Sequence, residues 1–583
     1  MHDLVIRAGT VVDGTGAPAT TADLAITDGV IVEVGRVDGP ARRTIDADGL
    51  LVTPGFVDIH THFDGQATWD PHLTPSSWNG VTTAILGNCG VGFAPARPDA
   101  REQLVELMEG VEDIPGTALH EGIRWDWESF PEYLDALERM PRAVDVGTHV
   151  PHAALRAYVM GERAQGPATP DDITAMADIV QASITAGALG FSTGRTHGHR
   201  DVRGEPVPGT FAAVDELVAL AGAMERGGRG VFQVVPTGIG GVESGDPEGS
   251  MDAELEWMVD LATRSRNAFT FLVMQSNRDP DGWRPWFETV RGVNAAGANL
   301  RPQVADRCFG LLIGHQSRMN PFRYAPTFAT VADLPLPERV ARLRDPDLRA
   351  AIVAEAPAAN RASTTLDRIS ATTFANLFPL GDELEYEPTP DQSIAAIAGR
   401  SGTDPWAVMY DVLLGAEGRE FLLRPLLNFG RGSYDGLHDM LEDPTTVQGL
   451  GDGGAHSSIV CDASMTTYLL THWVRDRRRG PRLPLEYAVR RLTMDGADLY
   501  GLHDRGVLAP GRKADVNLID FEHLNLRYPE RVNDLPGDTG RLVQRADGYV
   551  ATLVSGETVV EGGELTDARP GTLVRGARAS STR

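Results

Sequence analysis

A chain of 583 residues is longer than one compact core accommodates, so at least two folded units are expected. The formal net charge of −28 repels phosphate backbones and argues against a nucleic-acid partner, and no apolar run is long enough to span a membrane. The N-terminus MHDLVIRAGTVVDGTG has no basic segment followed by an apolar one, and Cys89, Cys308 and Cys461 are too scattered for a disulfide framework, so a cytoplasmic protein is expected.

Residues 1–55 read as short strands broken by turns, with a hairpin signal at Asp28-Gly29. The stretch VTPGFVDIHTH then enters a continuous apolar strand. From there the chain alternates strand and helix. GVTTAILG, AVDVGTHV, GALGFST, GVFQVVP, AFTFLVM and NLRPQV read as strands, and PDDITAMADIVQASITAGA, AAVDELVALAGAMERG and DAELEWMVDLATRSR as helices between them. Repeated βα units give parallel strands with right-handed crossovers. Counting PGFVDIH first and TTVQGLGD last makes eight, which predicts an α/β fold, a (β/α)₈ TIM-like barrel, over 56–504. A proline-rich stretch at about 308–387 breaks the rhythm and reads as an insertion after the seventh strand, over the mouth of the barrel. Residues 505–583 are again rich in strands and turns, so both chain ends are expected to build one small β-sandwich, with GTLVRGARASSTR as a fraying tail.

Residues two apart on a strand share a face, so His60 and His62 of DIHTH project together from the end of the first strand, where barrel active sites lie. Two imidazoles so placed suit one divalent ion. Asp452 in GLGDGGAH follows the last strand, across the barrel from them, and can bind metal and accept a proton from water. An Asp-Gly turn is the alternative for that motif taken alone. His456, four residues on, is a candidate substrate contact or a surface-loop histidine. Arg195 and Arg200 are candidates to hold a substrate carboxylate, because a guanidinium pairs bidentately with one.

Taken together, VTPGFVDIHTHFDGQ, GNCGVGFAP, GALGFSTG, GDGGAH and the C-terminal G-x-L-x-P-G-x-x-A-D-V pattern resemble the amidohydrolase superfamily, and most of all its D-aminoacylase (N-acyl-D-amino-acid deacylase) branch. The resemblance runs from about residue 3 to 560 and implies a barrel with a β-sandwich, zinc, and hydrolysis of an amide. It makes Cys89, in the loop after the second strand, a metal ligand, whereas Cys308 and Cys461 read as structural. It also matches His152 to a histidine after the third strand that could contact substrate; His149 reads as a core or a site residue. The chain departs from the branch where histidines end the fifth and sixth strands: Gln233 and Gln275 stand there instead. The single lysine, Lys513, lies in the sandwich region, which excludes a carbamylated-lysine bridge. The expectation is therefore one Zn²⁺ per chain on His60, His62, Cys89 and Asp452, with His197 or His199 as candidates to rebuild a second position.

These readings describe a zinc-dependent hydrolase of a small N-acyl compound, with an N-acyl amino acid, D configuration included, as the candidate substrate and Asp452 passing a proton from water to the leaving nitrogen. A cyclic-amide hydrolase of the hydantoinase type, a decarboxylase on the same scaffold, and a non-catalytic binding protein on a degenerate barrel are the alternatives. Self-assembly into a homo-oligomer is left open.

Overall fold

The structure, a computed structural model, describes residues 1–239, 250–361 and 373–576. At its centre lie eight parallel strands: β1 (Phe56–Asp58), β2 (Val81–Leu86), β3 (Asp145–Pro151), β4 (Gly190–Gly194), β5 (Val231–Val235), β6 (Ala268–Leu272), β7 (Leu300–Val304) and β8 (Val447–Gln448). They pair in sequence order, and each coincides with a run expected to be a strand. Every residue of β2, β3, β4 and β5 is buried, as befits a sheet covered on both faces. The edge strands β1 and β8 approach one another just past their ends. There Asp452 N donates to His60 O at 3.0 Å, His62 N donates to Gly453 O at 2.8 Å, and Thr61 and Gly453 form a parallel bridge.

The helices that follow the strands start where local chemistry sets them. Pro170–Ala186 opens with Thr169, whose hydroxyl accepts from Asp172 N while the Asp172 carboxylate accepts from Thr169 N, a reciprocal cap that contributes about 1 kcal/mol. Phe130–Arg139 opens in the same way on Ser129 and Glu132. Among the described residues no helix is long and apolar enough to cross a membrane.

Both chain ends feed a single nine-stranded sheet, in which Leu51–Pro54 pairs antiparallel with Val516–Ile519 and so joins the N-terminal strands to the C-terminal ones. The stretch after β7 is a three-stranded antiparallel sheet of Phe309–Gly314, Phe421–Leu427 and Phe378–Pro379. Its central strand lies beyond residue 387, so the excursion expected at 308–387 is completed only at Leu427. A separate core of Phe322, Leu343, Ile352, Trp406 and Tyr410 fills it, and Ile459 and Val460 from the loop after β8 belong to that core. Leu312 N donates to Ile459 O at 2.8 Å. The insertion is thereby fastened to the loop that carries Asp452.

The expected fraying of the C-terminal tail does not extend to Gly571–Gly576. This segment runs beneath the sheet, with Val146 N donating to Thr572 O at 3.0 Å and Val574 N donating to Val146 O at 2.7 Å. Val574 is buried among Val57, Ile59, Ile85, Val231 and Val447, apolar side chains that the sheet would otherwise expose there. The rest of the tail, 577–583, lies outside the described residues.

Candidate metal centre

His60 and His62 continue from β1 and are both fully buried, as the two-residue period requires for side chains on the inward face. The turn carrying Cys89 follows β2. Gly87 takes φ +72°, and a Cβ there would stand 2.6 Å from His149 O, so only glycine admits this close pass. Asn88 Nδ2 donates to Ile85 O at 2.9 Å and to Thr61 O at 3.2 Å, tying the turn to the histidine strand. Cys89 itself adopts φ +56°, and its N–H donates to Gln233 Oε1 at 2.9 Å. Gly194 lets the end of β4 press on the same turn, since a Cβ there would meet Cys89 O at 2.5 Å.

The result is a compact donor set. One ligand atom each from His60, His62 and Cys89 lies within 4.8 Å of the others, and among the described residues no other group of three such side chains does so. His60 Nε2 is 3.2 Å from Cys89 Sγ and 3.4 Å from Asp452 Oδ1, and His62 Nε2 is 3.9 Å from the same oxygen. Ligands about 2.0–2.3 Å from a tetrahedral zinc stand roughly 3.3–3.8 Å apart, so these spacings lie close to what such an ion requires. His60 Nδ1 lies 2.6 Å from Gln303 Oε1, near the end of β7. An amide oxygen can only accept, so Nδ1 carries the proton and the lone pair is on Nε2, facing the thiol.

Electrostatics point the same way. Burial lowers His60 to about 3 and His62 well below the usual imidazole value, so both are neutral donors. Burial, followed by neighbouring carboxylates, drives Asp452, Glu112 and the Cys89 thiol well above their ordinary values. Asp58 and Asp64 are raised to about 7 by burial. Among the described residues, the only basic side chains within 4.0 Å of Asp452 or Glu112 are the imidazoles of His60, His62 and His456. A buried cluster of acids and a thiol without a cationic side chain is suited to a bound metal cation.

The remaining expected residues are placed as follows. His456 adopts φ +48°, with its ring edge-on to Phe309 and Nε2 3.8 Å from Glu112 Oε2. His152 has both ring nitrogens engaged, at 2.9 Å from Thr193 Oγ1 and 2.8 Å from Glu216 Oε1. Arg195 donates from Nε to the buried Glu254 at 2.8 Å and from Nη1 to Ala212 O at 2.6 Å. Arg200 is exposed and donates to Gly204 O within its own loop. His149 Nε2 is 2.9 Å from Tyr500 OH. The His197 ring lies 5.2 Å from that of Phe211 at a tilt of 55°, while desolvation lowers His199 to about 4. Gln275 is used structurally: its Oε1 accepts from Gly430 N and its Nε2 donates to Pro280 O. Lys513 pairs with Asp515 and with Asp145, which begins β3, so it stands at the end of the sheet opposite Cys89.

Sequence reasoning missed Gln303, Asp64 and Glu112. Gln303 was accessible to the rule that polar residues at the ends of barrel strands face the site. Asp64, two residues past His62, accepts from Gly87 N at 3.2 Å. Glu112 ends the helix Arg101–Glu112, where charged residues abound and nothing in the pattern marks one as buried.

An eight-stranded parallel sheet that gathers imidazole, thiol and carboxylate groups at the carboxyl ends of its strands is the architecture of a metal-assisted enzyme site. The profile of the amidohydrolase family matches residues 43–560, and the chain belongs to that family. It is 28% identical over 595 residues to a Mycobacterium tuberculosis protein described as uncharacterized, covering 97% of this chain and 92% of that one. It is 38% identical over 193 residues to D-aminoacylase of Alcaligenes xylosoxydans xylosoxydans, covering 33% of this chain and 37% of that one. Among solved structures it is similar to N-acyl-D-glutamate deacylase from Bordetella bronchiseptica, complexed with zinc and a phosphonate inhibitor. The TM-score there is 0.64 with 24% identity, over 98% of this chain and 99% of that one.

Proposed function

We propose that the chain is a zinc-dependent hydrolase that cleaves the amide bond of an N-acyl amino acid, of D configuration, or of a closely related N-acyl compound, on a (β/α)₈ barrel completed by a small β-domain from both chain ends. The observation that carries the reading is the His60, His62 and Cys89 cluster within 4.8 Å, with Asp452 beside both histidines. The names of the similar deacylases supply the substrate class. In this reading His60, His62, Cys89 and Asp452 hold one ion. A divalent ion there supplies Lewis acidity, polarising the acyl oxygen and acidifying water.

The chain's own residues do the rest. Asp452, at the rim of the donor set, takes the proton of the attacking water and returns it to the leaving nitrogen. Gln303 fixes the His60 ring. His456 lines the approach on the loop that the insertion covers. His152 and Arg195 support the β4 loop, since Thr193 and Glu216 engage both ring nitrogens of His152 and Glu254 and Ala212 O engage Nε and Nη1 of Arg195. The barrel reading spans 56–504, with 1–55 and 505–583 in the β-domain.

The test is a panel of N-acyl-D- and N-acyl-L-amino acids assayed for released amine, with elemental analysis of the same preparation. Turnover of an N-acyl-D-amino acid with one zinc per chain is expected. A chain carrying zinc that turned over only cyclic amides would replace this reading with the hydantoinase-type one.

A further inference from the structure

His60 and His62 are oriented alike. Each turns Nε2 toward Asp452, and each turns Nδ1 outward to a different neighbour. For His60 that neighbour is Gln303 Oε1 at 2.6 Å. For His62 it is Glu112 Oε1 at 3.4 Å, and both of these buried atoms stand without a hydrogen-bond partner, so the contact between them is a near approach that either atom can complete. An unpaired buried nitrogen and an unpaired buried carboxylate oxygen facing one another are each what the other lacks.

Glu112 is held where it stands by its neighbours rather than by its helix alone. Its carbonyl accepts from His456 N. The next residue, Asp113, accepts from Ser457 Oγ at 2.7 Å and from Ser458 N at 3.1 Å, and pairs with Arg318 of the insertion at 3.2 Å. The end of the helix is therefore locked to the loop after β8, and the carboxylate side chain lies between His62 and His456. A glutamate that is 1% exposed, with no arginine or lysine within 4.0 Å among the described residues, is costly to bury unless it has a task there.

We infer that Glu112 is the positioning residue of His62: its carboxylate accepts a hydrogen bond from Nδ1–H, holds the ring in the tautomer whose lone pair is on Nε2, and so presents His62 to the metal. The inference rests on the metal reading above and deepens it, since it assigns a residue that no motif marks. A carboxylate behind a ligating histidine fixes the ring and raises its basicity, and its removal typically weakens metal binding about ten- to a hundredfold. Glu112 makes no contact with substrate in this role.

The experiment measures zinc affinity of wild type, Glu112→Gln and Glu112→Ala by competition of each apo protein with a chromophoric chelator, with thermal unfolding of the same apo samples. A zinc-edge anomalous map of wild-type crystals accompanies it. Zinc binding about tenfold weaker in Glu112→Gln, and weaker again in Glu112→Ala, is expected, with apo unfolding close to wild type and the anomalous peak bonded to His62 Nε2. Equal zinc affinity in all three proteins overturns the inference, and so does a peak bonded to His62 Nδ1 or to a Glu112 oxygen. Should the variants not fold, the map alone decides it. A wild-type chain that binds no zinc refutes the metal reading itself, which distinguishes that failure from one confined to Glu112.

Discussion

At the scale of single residues, the centre separates groups that donate electron pairs from one that moves a proton. Asp452 does both in the proposed reading, and asparagine at this position keeps an oxygen but loses the basic site. Asp452→Asn is expected to retain zinc by elemental analysis while kcat falls by about 10²–10⁴-fold; wild-type kcat in that variant would remove Asp452 from the proton path. The three cysteines provide an internal control. All are buried, yet only Cys89 has its sulfur beside imidazoles, whereas Cys308 Sγ faces Tyr386 O and Cys461 lies near Arg307. Cys89→Ala should weaken zinc binding at least about tenfold in a chelator competition, and Cys308→Ala and Cys461→Ala should leave it unchanged. Equal affinity in all three variants would return Cys89 to a structural role.

At the scale of elements, the insertion and the helices after β8 are joined through one carboxylate. Glu387 is buried, which alone would raise it, but His472 at 3.2 Å, Arg477 at 3.1 Å and Tyr434 N at 2.8 Å outweigh burial and hold it at about 2. A carboxylate depressed in the folded state contributes stability that is present above its ordinary unfolded value and is lost as pH falls through the folded one. The window is therefore from about 4.5 down to about 2, and the contribution at neutral pH is on the order of 3 kcal/mol. Glu387→Gln should lower stability to denaturant at pH 7 and flatten its decline between pH 4.5 and the acid limit. A variant with an unchanged acid slope would show that the depression of Glu387 plays no part in the acid transition.

At the scale of the whole molecule, the two ends of the sheet have different duties. The carboxyl ends of the strands gather His60, His62, Cys89 and Asp452, while the opposite end is covered by Gly571–Gly576 and braced by Lys513, Arg505 and Asp145. Val574→Asp would bury a charge among Val57, Ile85 and Val231 and forfeit roughly 1.5–3 kcal/mol of apolar burial. A lower unfolding midpoint with kcat of the remaining folded enzyme unchanged is expected. An unfolding midpoint equal to wild type would mean that the tail contributes nothing to stability.

What the sequence by itself determined is what periodicity and short-range spacing encode. Alternation of strand and helix places the eight parallel strands, because burial on both faces writes a continuous apolar run into each. A two-residue period puts His60 and His62 on one face, and the resemblance carried by GNCG singled out Cys89. What only the tertiary structure decided involves partners far apart in the chain. Gln303 reaches His60 across 243 residues, and Glu112 reaches His62 from a helix whose composition reads as solvent-facing. The tail, polar and small in sequence, is bound because the underside of the sheet has unpaired backbone and apolar side chains to offer it. A residue's own letter records its hydrogen-bonding capacity, but whether that capacity is spent on water or on a buried histidine depends on what the fold brings beside it.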